Sequence, residues 1–427
     1  MRRKLKTGHL ATGFVVLAAM GCATAAQATE GYVALGFGPI QRGQGGAGVA
    51  AAGDDAMSGT INTAATATVS KGFSLGLELF SPNRGYTADG TYFVAQGSHR
   101  SDSNIFFIPN FAYNMPLQSG GVVTFSAYGN GGMNTTYGAF ERTNPCPPGS
   151  LGTGVFCMGA AGVDLTQLFL SVAYARKDGA LSWGFAPVVA VQAFKAEGLG
   201  AFAAISSDPS AVSNNGYDWS YGIGVRGGII YEVTPSFSLG LNAQTQISMS
   251  KLEKYAGLFE NGGSFDIPGQ ITAGLAAKVS PDVTVMADYE RIFYSGVPAV
   301  SNGFTQYPLG APGGTGFGWD DVDVLKLGVV WKQDDQMTWR AGYAYSTNPI
   351  GPEDVTLGVL APGVVTNAFT FGGSYAATAR DTIDFAVEYA PNVAVTGGEV
   401  TPMGPTPGQI TIDMDQIGVS VGWRRTF

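Results

Sequence analysis

The stretch that decides the fold is Asp415–Phe427, which reads DQIGVSVGWRRTF. One set of alternate positions is apolar: Ile417, Val419, Val421, Trp423 and Phe427. The intervening positions are small or polar: Gln416, Gly418, Ser420, Gly422 and Thr426. A period of two predicts a β-strand with one apolar and one polar face. The same alternation recurs in segments that begin at Phe73, Phe237, Trp339 and Ile383.

The composition indicates that the apolar faces meet lipid. Only 13% of the 427 residues are charged and 45% are hydrophobic, whereas soluble proteins are about 25% charged. After residue 28 no run of 18 apolar residues remains to form a membrane helix. Because all backbone groups in lipid must be hydrogen bonded, the other membrane-spanning solution is a closed barrel. The net charge of −9 argues against nucleic acid as a partner.

The connections between strands fall into two classes. Short turns are predicted near 115–120, 178–179, 234–236, 280–282, 334–335 and 379–381. Longer loops are predicted at 81–103, 131–164, 195–216, 251–264, 296–320, 348–365 and 394–412. Short periplasmic turns and long outer loops are typical of outer-membrane barrels. The pattern predicts an all-β, 14-stranded antiparallel transmembrane β-barrel over residues 71–427, with both termini in the periplasm.

The N-terminus has the features of a removed signal peptide, predicted at residues 1–28. Basic residues near the start precede the apolar segment Leu10–Met20, and Ala26-Gln27-Ala28 forms a cleavage site. Cys22 offers lipidation as an alternative. The final Phe427 resembles the sorting signal read by the barrel assembly machinery. We therefore expect the outer membrane of a Gram-negative bacterium, with its lipids and lipopolysaccharide and that machinery as partners.

Residues 29–70 do not fit the barrel pattern. They lack a period of two and are too rich in glycine for a stable helix. A 14-stranded barrel is wider than the eight-stranded kind, whose lumen side chains alone can fill. We therefore predict that this segment is an N-terminal plug, or hatch, inside the lumen.

Several motifs carry a family resemblance. Gly43–Ala50 reads GQGGAGVA, and Asp54-Asp55-Ala56 and Asn62-Thr63-Ala64 follow it. Together they resemble the hatch of the FadL/TodX family of long-chain fatty acid and aromatic hydrocarbon transporters. Segments 108–113 and 128–137 are similar to the second and third strands of that family. This chain has Thr63 where the family has proline. The resemblance implies hatch or gating roles for Gly45, Gly48, Asp54, Asp55 and Asn62, with Asn62 bonding the kinked third strand.

The resemblance also implies a function. Members take up hydrophobic compounds passively, by capture at the outer loops and sideways exit through the barrel wall at a kinked third strand. We therefore expect hydrophobic small molecules as ligands, a monomer, no cofactor and no enzymatic activity. A porin for polar solutes and a structural or adhesive surface barrel remain as alternatives.

Apolar residues in the hatch and outer loops are candidates for ligand binding. They are Phe37, Ile40, Phe140, Leu199, Phe202, Leu258 and Phe259. Phe304 and Leu309 also lie in a predicted outer loop. Exposed apolar groups mark binding surfaces. Packing of the loops against each other explains the same residues equally well.

Charged residues within the predicted strands should face the lumen, because charges facing lipid are costly. They are Glu78, Arg226, Glu232, Asp288, Glu290, Arg340, Asp384, Glu388 and Arg424. We expect them to pair with each other and with Arg42, Asp54 and Asp55 of the hatch. The alternative is that they line a polar path, as in a porin.

The remaining motifs have ordinary explanations. Cys146 and Cys157 lie in one outer loop, where an oxidising environment favours a disulfide. His99 stands near Ser101 and Ser103, but a lone histidine in a loop is more often solvated than catalytic. Asp320, Asp321 and Asp323 could bind calcium at the barrel rim, but a solvated acidic edge explains them better. Gly43-x-Gly45-x-x-Gly48 matches a dinucleotide fingerprint without the βαβ unit that it requires. We predict no catalytic residue and no metal site.

Overall fold

The computed structural model describes residues 30–304, 308–401 and 403–427. The predicted signal peptide, including Cys22, lies outside these residues. Fourteen antiparallel strands form the wall. They are β1 Gly72–Asp89, β2 Phe106–Pro116, β3 Gly121–Tyr137, β4 Ala161–Asp178, β5 Leu181–Glu197, β6 Asp218–Thr234, β7 Phe237–Gln244, β8 Gln270–Lys278, β9 Val283–Ile292, β10 Val322–Lys332, β11 Met337–Ser346, β12 Asn367–Ala376, β13 Asp381–Thr401 and β14 Gly404–Thr426.

The sheet closes on itself. Each strand pairs with its neighbours in the sequence, and β1 pairs with β14 from Gly72–Thr426 to Asp89–Gln409. Two short strands, Gly97–Arg100 and Ser248–Met249, add to β1 and β6. Closure pairs the first strand with the last, so the sheet has no terminal edge strand exposed to lipid. The prediction of a 14-stranded antiparallel barrel is confirmed.

The two faces of each strand differ as the alternation predicted. In β14, Val421 is 54% exposed on the outside, whereas Ser420 and Gln416 are buried on the inside. Apolar side chains therefore form the outer surface, and small or polar side chains line the lumen.

The six short turns lie where they were predicted, but three outer loops are shorter than expected. The predicted loop 131–164 is shorter because β3 runs to Tyr137 and β4 begins at Ala161. Strand β1 continues to Asp89, so the first loop does not begin at 81. The predicted loop 394–412 is wrong, because β13 and β14 run on as a hairpin and still pair at Val400–Pro405. Ile410 and Ile412 of this hairpin are fully buried, so their alternation is that of an inward-facing strand. The dense Gly and Pro residues of this stretch concealed that alternation.

The helices are short and lie in the hatch and outer loops. The α-helices are α1 Pro39–Gly43, α2 Glu260–Gly263, α3 Pro298–Ser301 and α4 Val355–Gly358. The 3-10 helices are Ala56–Thr60, Thr63–Thr68, Gly200–Ile205, Pro209–Ala211, Glu253–Tyr255 and Tyr294–Gly296. Within the described ranges, none of these helices has the length and apolar content needed to cross a bilayer.

Residues 30–70, which we call the hatch, lie inside the ring of strands. Their hydrogen bonds reach strands around the whole ring: Ala34 N–H to Asn130 of β3, Thr63 Oγ1–H to Gly184 of β5, Gly48 N–H to Asp288 of β9, and Gly43 O from Thr370 of β12. A segment bonded to opposite sides of a closed wall must occupy its lumen.

Close approach of two backbones explains the glycines at the contact of hatch and wall. A Cβ atom on Gly342 of β11 would lie 2.1 Å from the nitrogen of Gly45 and 2.3 Å from the carbonyl carbon of Gln44. Gly45 itself has a φ of +68°, a conformation that favours glycine. The backbone of the hatch therefore packs directly against the backbone of the wall.

We predict that Gly342→Ala displaces the hatch. The added methyl group would overlap backbone atoms of Gln44 and Gly45, which can make room only if the hatch itself shifts. The expected result is a larger ion conductance of the purified protein in planar bilayers. Gly227→Ala is the matched control, since its Cβ would lie no closer than 3.8 Å to another group. Equal conductance of both variants and wild type would show that this contact does not seat the hatch.

Candidate functional site

The wall has a gap between β2 and β3. Pairing of these strands ends at Asn110–Tyr128, whereas β2 continues along β1 as far as Phe106. Beyond Tyr128, β3 stays paired with β4 through a bulge at Gly129–Gly131. Residues 128–135 are buried on both faces. The outer half of β3 has therefore turned inward, and no strand among the described residues pairs with the edge of β2 above Asn110.

The start of the hatch lies behind this gap. Val33 forms a bridge with Gly131, and Gly132 N–H donates to Tyr32 O over 3.3 Å. A Cβ on Gly131 would lie only 1.9 Å from Tyr32 O, so this approach requires glycine. Lower in the gap, the Phe37 ring packs 4.4 Å from that of Tyr128. Hatch and wall thus meet at the point where the wall is open.

An apolar pocket lies under the outer loops. Its lining is almost entirely aliphatic or aromatic and includes Phe194, Leu199, Phe202, Leu258, Phe259 and Leu309. The free volume is about 30 Å³, well below the roughly 150 Å³ of a cavity that admits benzene. A molecule that enters must therefore displace the side chains around it.

Aromatic rings connect this pocket with the gap. Phe259, in the pocket wall, packs on Phe265 with ring centroids 4.8 Å apart. Phe265 lies 6.4 Å from Tyr32 of the hatch, and Tyr32 contacts Tyr294 and Trp319 at 5.3 and 5.9 Å. All of these rings except Phe259 are at most 2% exposed. They form a continuous apolar column from the outer loops to Tyr32 of the hatch, behind the gap.

Buried ion pairs bind the hatch to the wall. Arg42 lies between Glu78 of β1, at 3.2 Å, and Glu388 of β13. Lys326 of β10 binds Glu30 of the hatch, at 2.9 Å, and Glu290 of β9. Two carboxylates around each buried cation make each contact strong only while the full set is present.

Further polar contacts surround these clusters. Asp288 accepts the N–H groups of Gly48 and Val49 at 2.7 and 2.9 Å. Arg340 binds Asp54 at 3.0 Å. The other lumen charges contact neighbours as follows: Arg424 with Asp384 and Asp54 O, Arg226 with Thr60 O and Gln244, and Glu232 with Lys177.

Solved structures with the same architecture are membrane channels. The Pseudomonas putida toluene transporter TodX matches with a TM-score of 0.66 and 19% identity, over 93% of this chain and 100% of that one. The Ralstonia pickettii toluene transporter TbuX matches with 0.63 and 20%, over 92% and 99%. A Pseudomonas aeruginosa FadL homologue matches with 0.67 and 15%, over 93% and 100%.

The chain has the FadL/TodX-type fold. The resemblance recognised in the sequence motifs is confirmed at the level of the fold, over more than nine-tenths of the chain. No protein-family model and no curated protein matches the sequence.

Within this FadL/TodX-type fold, the ligand-binding candidates separate into two groups. Leu199, Phe202, Leu258, Phe259 and Leu309 line the same pocket under the outer loops. The others lie elsewhere: Phe37 beside Tyr128, Ile40 at a cavity of about 310 Å³ between hatch and wall, Phe140 on His99, and Phe304 at a separate small cavity.

Asn62 does not bond the third strand, so that expectation is wrong. Its Nδ2 donates to Val49 O at 2.6 Å and to Ile229 O of β6 at 3.1 Å, and its Oδ1 accepts from Ala64 N–H. Thr63, which replaces the proline of the family, donates its hydroxyl to Gly184 O of β5 at 2.9 Å. The motif therefore ties the hatch to strands far from the gap.

Asp55 also differs from its expected role. It caps the helix Ala56–Thr60 by accepting from the N–H and hydroxyl of Ser58, at 3.1 and 3.0 Å. Among the described residues it forms no ion pair with a wall residue. Asp54, its neighbour, makes that contact instead.

Cys146 and Cys157 form the predicted disulfide, with Cα atoms 5.7 Å apart. It stabilises the loop that carries Phe156, which packs on Phe202 at the top of the pocket. His99 stacks on Phe140, and its Nε2 lies 3.1 Å from Gln96 O. Asp321 and Asp323 bind Arg291, and over residues 30–304, 308–401 and 403–427 no cluster of ligands could hold a metal ion.

Sequence reasoning missed Tyr32, Phe265 and Trp319, which form the column, because isolated aromatic residues in loops carry no periodic signal. It also missed Glu30 and Lys326. Lys326 in β10 has inward parity and lies opposite Asp288 on β9, two residues from Glu290. This was a usable sign of that ion cluster.

We predict that Arg42→Met destabilises the folded protein by about 3 to 5 kcal/mol, because the change removes the cation between two buried carboxylates. Urea unfolding of the refolded barrel, followed by its mobility in gels, measures this loss. Arg176→Met removes the cation of an exposed pair with Asp178 and should leave the midpoint unchanged. Equal midpoints for the two variants would contradict the role given to Arg42.

We also predict that the loop carrying α4 opens more readily as the pH rises. Burial, followed by the charges of Glu353 and Asp320, raises the pKa of Asp354 from 3.8 to about 7. Since the folded loop favours the protonated acid, its stability falls as the pH rises from about 4 to about 7 and stays low above that.

Leu357 and Leu360 of this segment line the pocket. Amide exchange of residues 355–360, corrected for intrinsic rates, should be faster at pH 8 than at pH 5, and Asp354→Asn should abolish the difference. A difference that persists in the variant would assign the effect to another group.

Proposed function

We propose that the chain carries hydrophobic small molecules, such as long-chain fatty acids or aromatic hydrocarbons, passively across the outer membrane of a Gram-negative bacterium. A molecule is captured in the pocket lined by Leu199, Phe202 and Phe259. It moves along the column of Phe265 and Tyr32 and leaves sideways into the lipid through the gap between β2 and β3.

The chemistry of the route supports this proposal. An apolar molecule gains little from a water-filled pore and a great deal from an apolar path that shields it from the polar surface layer. Return to lipid at the gap completes the transfer without an energy source. The barrel closes within one chain and the pocket is built from one chain, which agrees with a monomer.

The observation that carries the proposal is the continuity of pocket, column and gap. Each alone has an ordinary structural explanation, since loops pack, aromatic rings cluster and strands bulge. Their connection supports an apolar route from the outer loops to the gap in the wall.

The hatch supports the sideways direction of exit. Arg42, Asp54 and Asn62 of residues 30–70 bond to wall strands on several sides, which agrees with a closed lumen. A porin would require an open lumen at this level. The solved channels of this fold include toluene transporters, which agrees with an apolar cargo.

The test is uptake of radiolabelled toluene and radiolabelled oleate by cells that lack their own uptake channels, with and without this protein. Faster entry of either compound that depends on the protein supports the proposal and selects the substrate class. If neither enters faster while the barrel is correctly assembled, the proposal fails. Conductance of the purified protein in planar bilayers then tests the porin alternative.

A matched pair of variants tests the pocket. Phe259→Ala removes a ring that the cargo would contact and should lower the initial uptake rate roughly threefold to tenfold. Phe304→Ala removes a ring from a neighbouring cavity outside the pocket and should leave the rate unchanged. Equal rates for the two variants would remove the pocket from the route.

A further inference from the structure

Three buried amide side chains form a row across adjacent strands. Asn130 of β3 donates from Nδ2 to Oε1 of Gln167 on β4, at 3.1 Å. Gln167 donates from Nε2 to Oε1 of Gln192 on β5, at 2.8 Å. Gln192 donates to the carbonyl oxygen of Phe265, at 3.2 Å. All three amides are at most 4% exposed, so no exposed surface explains their polarity.

The end of the row fixes the direction of every bond. A backbone carbonyl only accepts, so Gln192 must direct its NH₂ group to Phe265. Its oxygen then faces Gln167, and the same reasoning orients Gln167 and Asn130. Reversing the amide of Gln167 or Gln192 would break two buried bonds, which makes the row act as a unit.

One end of the row lies at the gap. Asn130 is the extra residue of the bulge in β3, since Gly129 pairs with Leu168 and Gly131 with Gln167. Its backbone oxygen accepts from Ala34 N–H of the hatch at 3.2 Å. Asn130 therefore fixes the bulge to β4 through its side chain and to the hatch through its backbone.

The other end lies beside the pocket. Phe265 packs against Phe259 of the pocket wall and against Tyr32 of the hatch. Since the pocket has little free volume, an occupant must move its aromatic wall. A shift of Phe259 displaces Phe265 and strains the bond from Gln192.

We propose that Asn130, Gln167 and Gln192 are positioning residues that couple occupation of the outer pocket to opening of the wall at β3. With the pocket empty, the row holds the bulge against β4 and the hatch. When an occupant displaces Phe265, the row loses its fixed end and the bonds of Asn130 and Gly132 to the hatch loosen. This inference rests on the proposed function for its meaning, but the coupling itself can be measured without transport.

The test is hydrogen–deuterium exchange of the purified full chain in detergent, with and without toluene. In the wild type, toluene should speed exchange of the amides of Ala34 and Gly132. Gln192→Met keeps the side-chain length but removes both bonds. In this variant we expect exchange at the two amides to be about tenfold faster without toluene and to respond to toluene no further.

Ser171→Ala is the matched control, because it removes another buried side-chain bond between β3 and β4, that of Ser126 and Ser171 at 2.6 Å. It should leave both amides as in the wild type. The heat-dependent gel mobility of each variant checks that the barrel has folded. If Gln192→Met fails this check, Gln192→Asn, which keeps the amide but shortens its reach, takes its place.

Unchanged exchange at Ala34 and Gly132 in the folded Gln192→Met variant would overturn the proposal. So would exchange at these amides that is accelerated as much in Ser171→Ala as in Gln192→Met. Uptake by the wild type reports separately on the function. If the wild type takes up neither toluene nor oleate but still shows the coupling, the proposed function is contradicted and the inference about the amide row stands.

Discussion

A closed ring of fourteen strands satisfies its own backbone but leaves a lumen that its side chains cannot fill, and the rest of this structure follows from that constraint. The lumen holds the hatch, and the hatch, whose helices are at most six residues long, must be fixed by its contacts with the wall. Buried charges do this: Arg42 between Glu78 and Glu388, and Lys326 between Glu30 and Glu290. Glycines such as Gly342 let hatch and wall backbones touch.

The same constraint determines where the wall can open. A strand edge in lipid needs another partner for its polar groups, and at β3 the hatch supplies part of it through Tyr32 and Ala34. The opening therefore lies where hatch, wall and aromatic column meet. Side-chain contacts bind Arg42, Gly48 and Asp54 to β1, β9, β11 and β13, whereas at the gap Tyr32 and Ala34 are held by single backbone bonds to β3. This division lets the wall loosen locally while the plug stays in place.

Much of this architecture could be predicted from the sequence, because period-two alternation is visible in most wall strands and the apolar residues of β14 point outward as expected. The disulfide followed from two cysteines in one loop. The β13–β14 hairpin was missed because Gly and Pro residues concealed the inward alternation of Ile410 and Ile412. Asn62 was assigned to the wrong strands, since a motif indicates that a residue bonds the wall but not where the folded segment places it. The amide row joins residues far apart in the sequence, and no local pattern shows that they meet.

The central claim is that cargo leaves through the wall while the hatch stays in place. Ser238 Oγ of β7 donates to Ala50 O of the hatch at 2.7 Å, so the two residues are neighbours. A disulfide between Ala50→Cys and Ser238→Cys, once its formation is verified by a thiol assay, locks the hatch to the wall. The measurement is uptake of radiolabelled toluene and oleate before and after oxidation, with the wild type treated identically because of its Cys146–Cys157 bond. The account predicts unchanged uptake in the locked protein. Uptake that stops on oxidation and returns on reduction, only in the double variant, would show that the hatch must move out of the lumen and would contradict sideways exit.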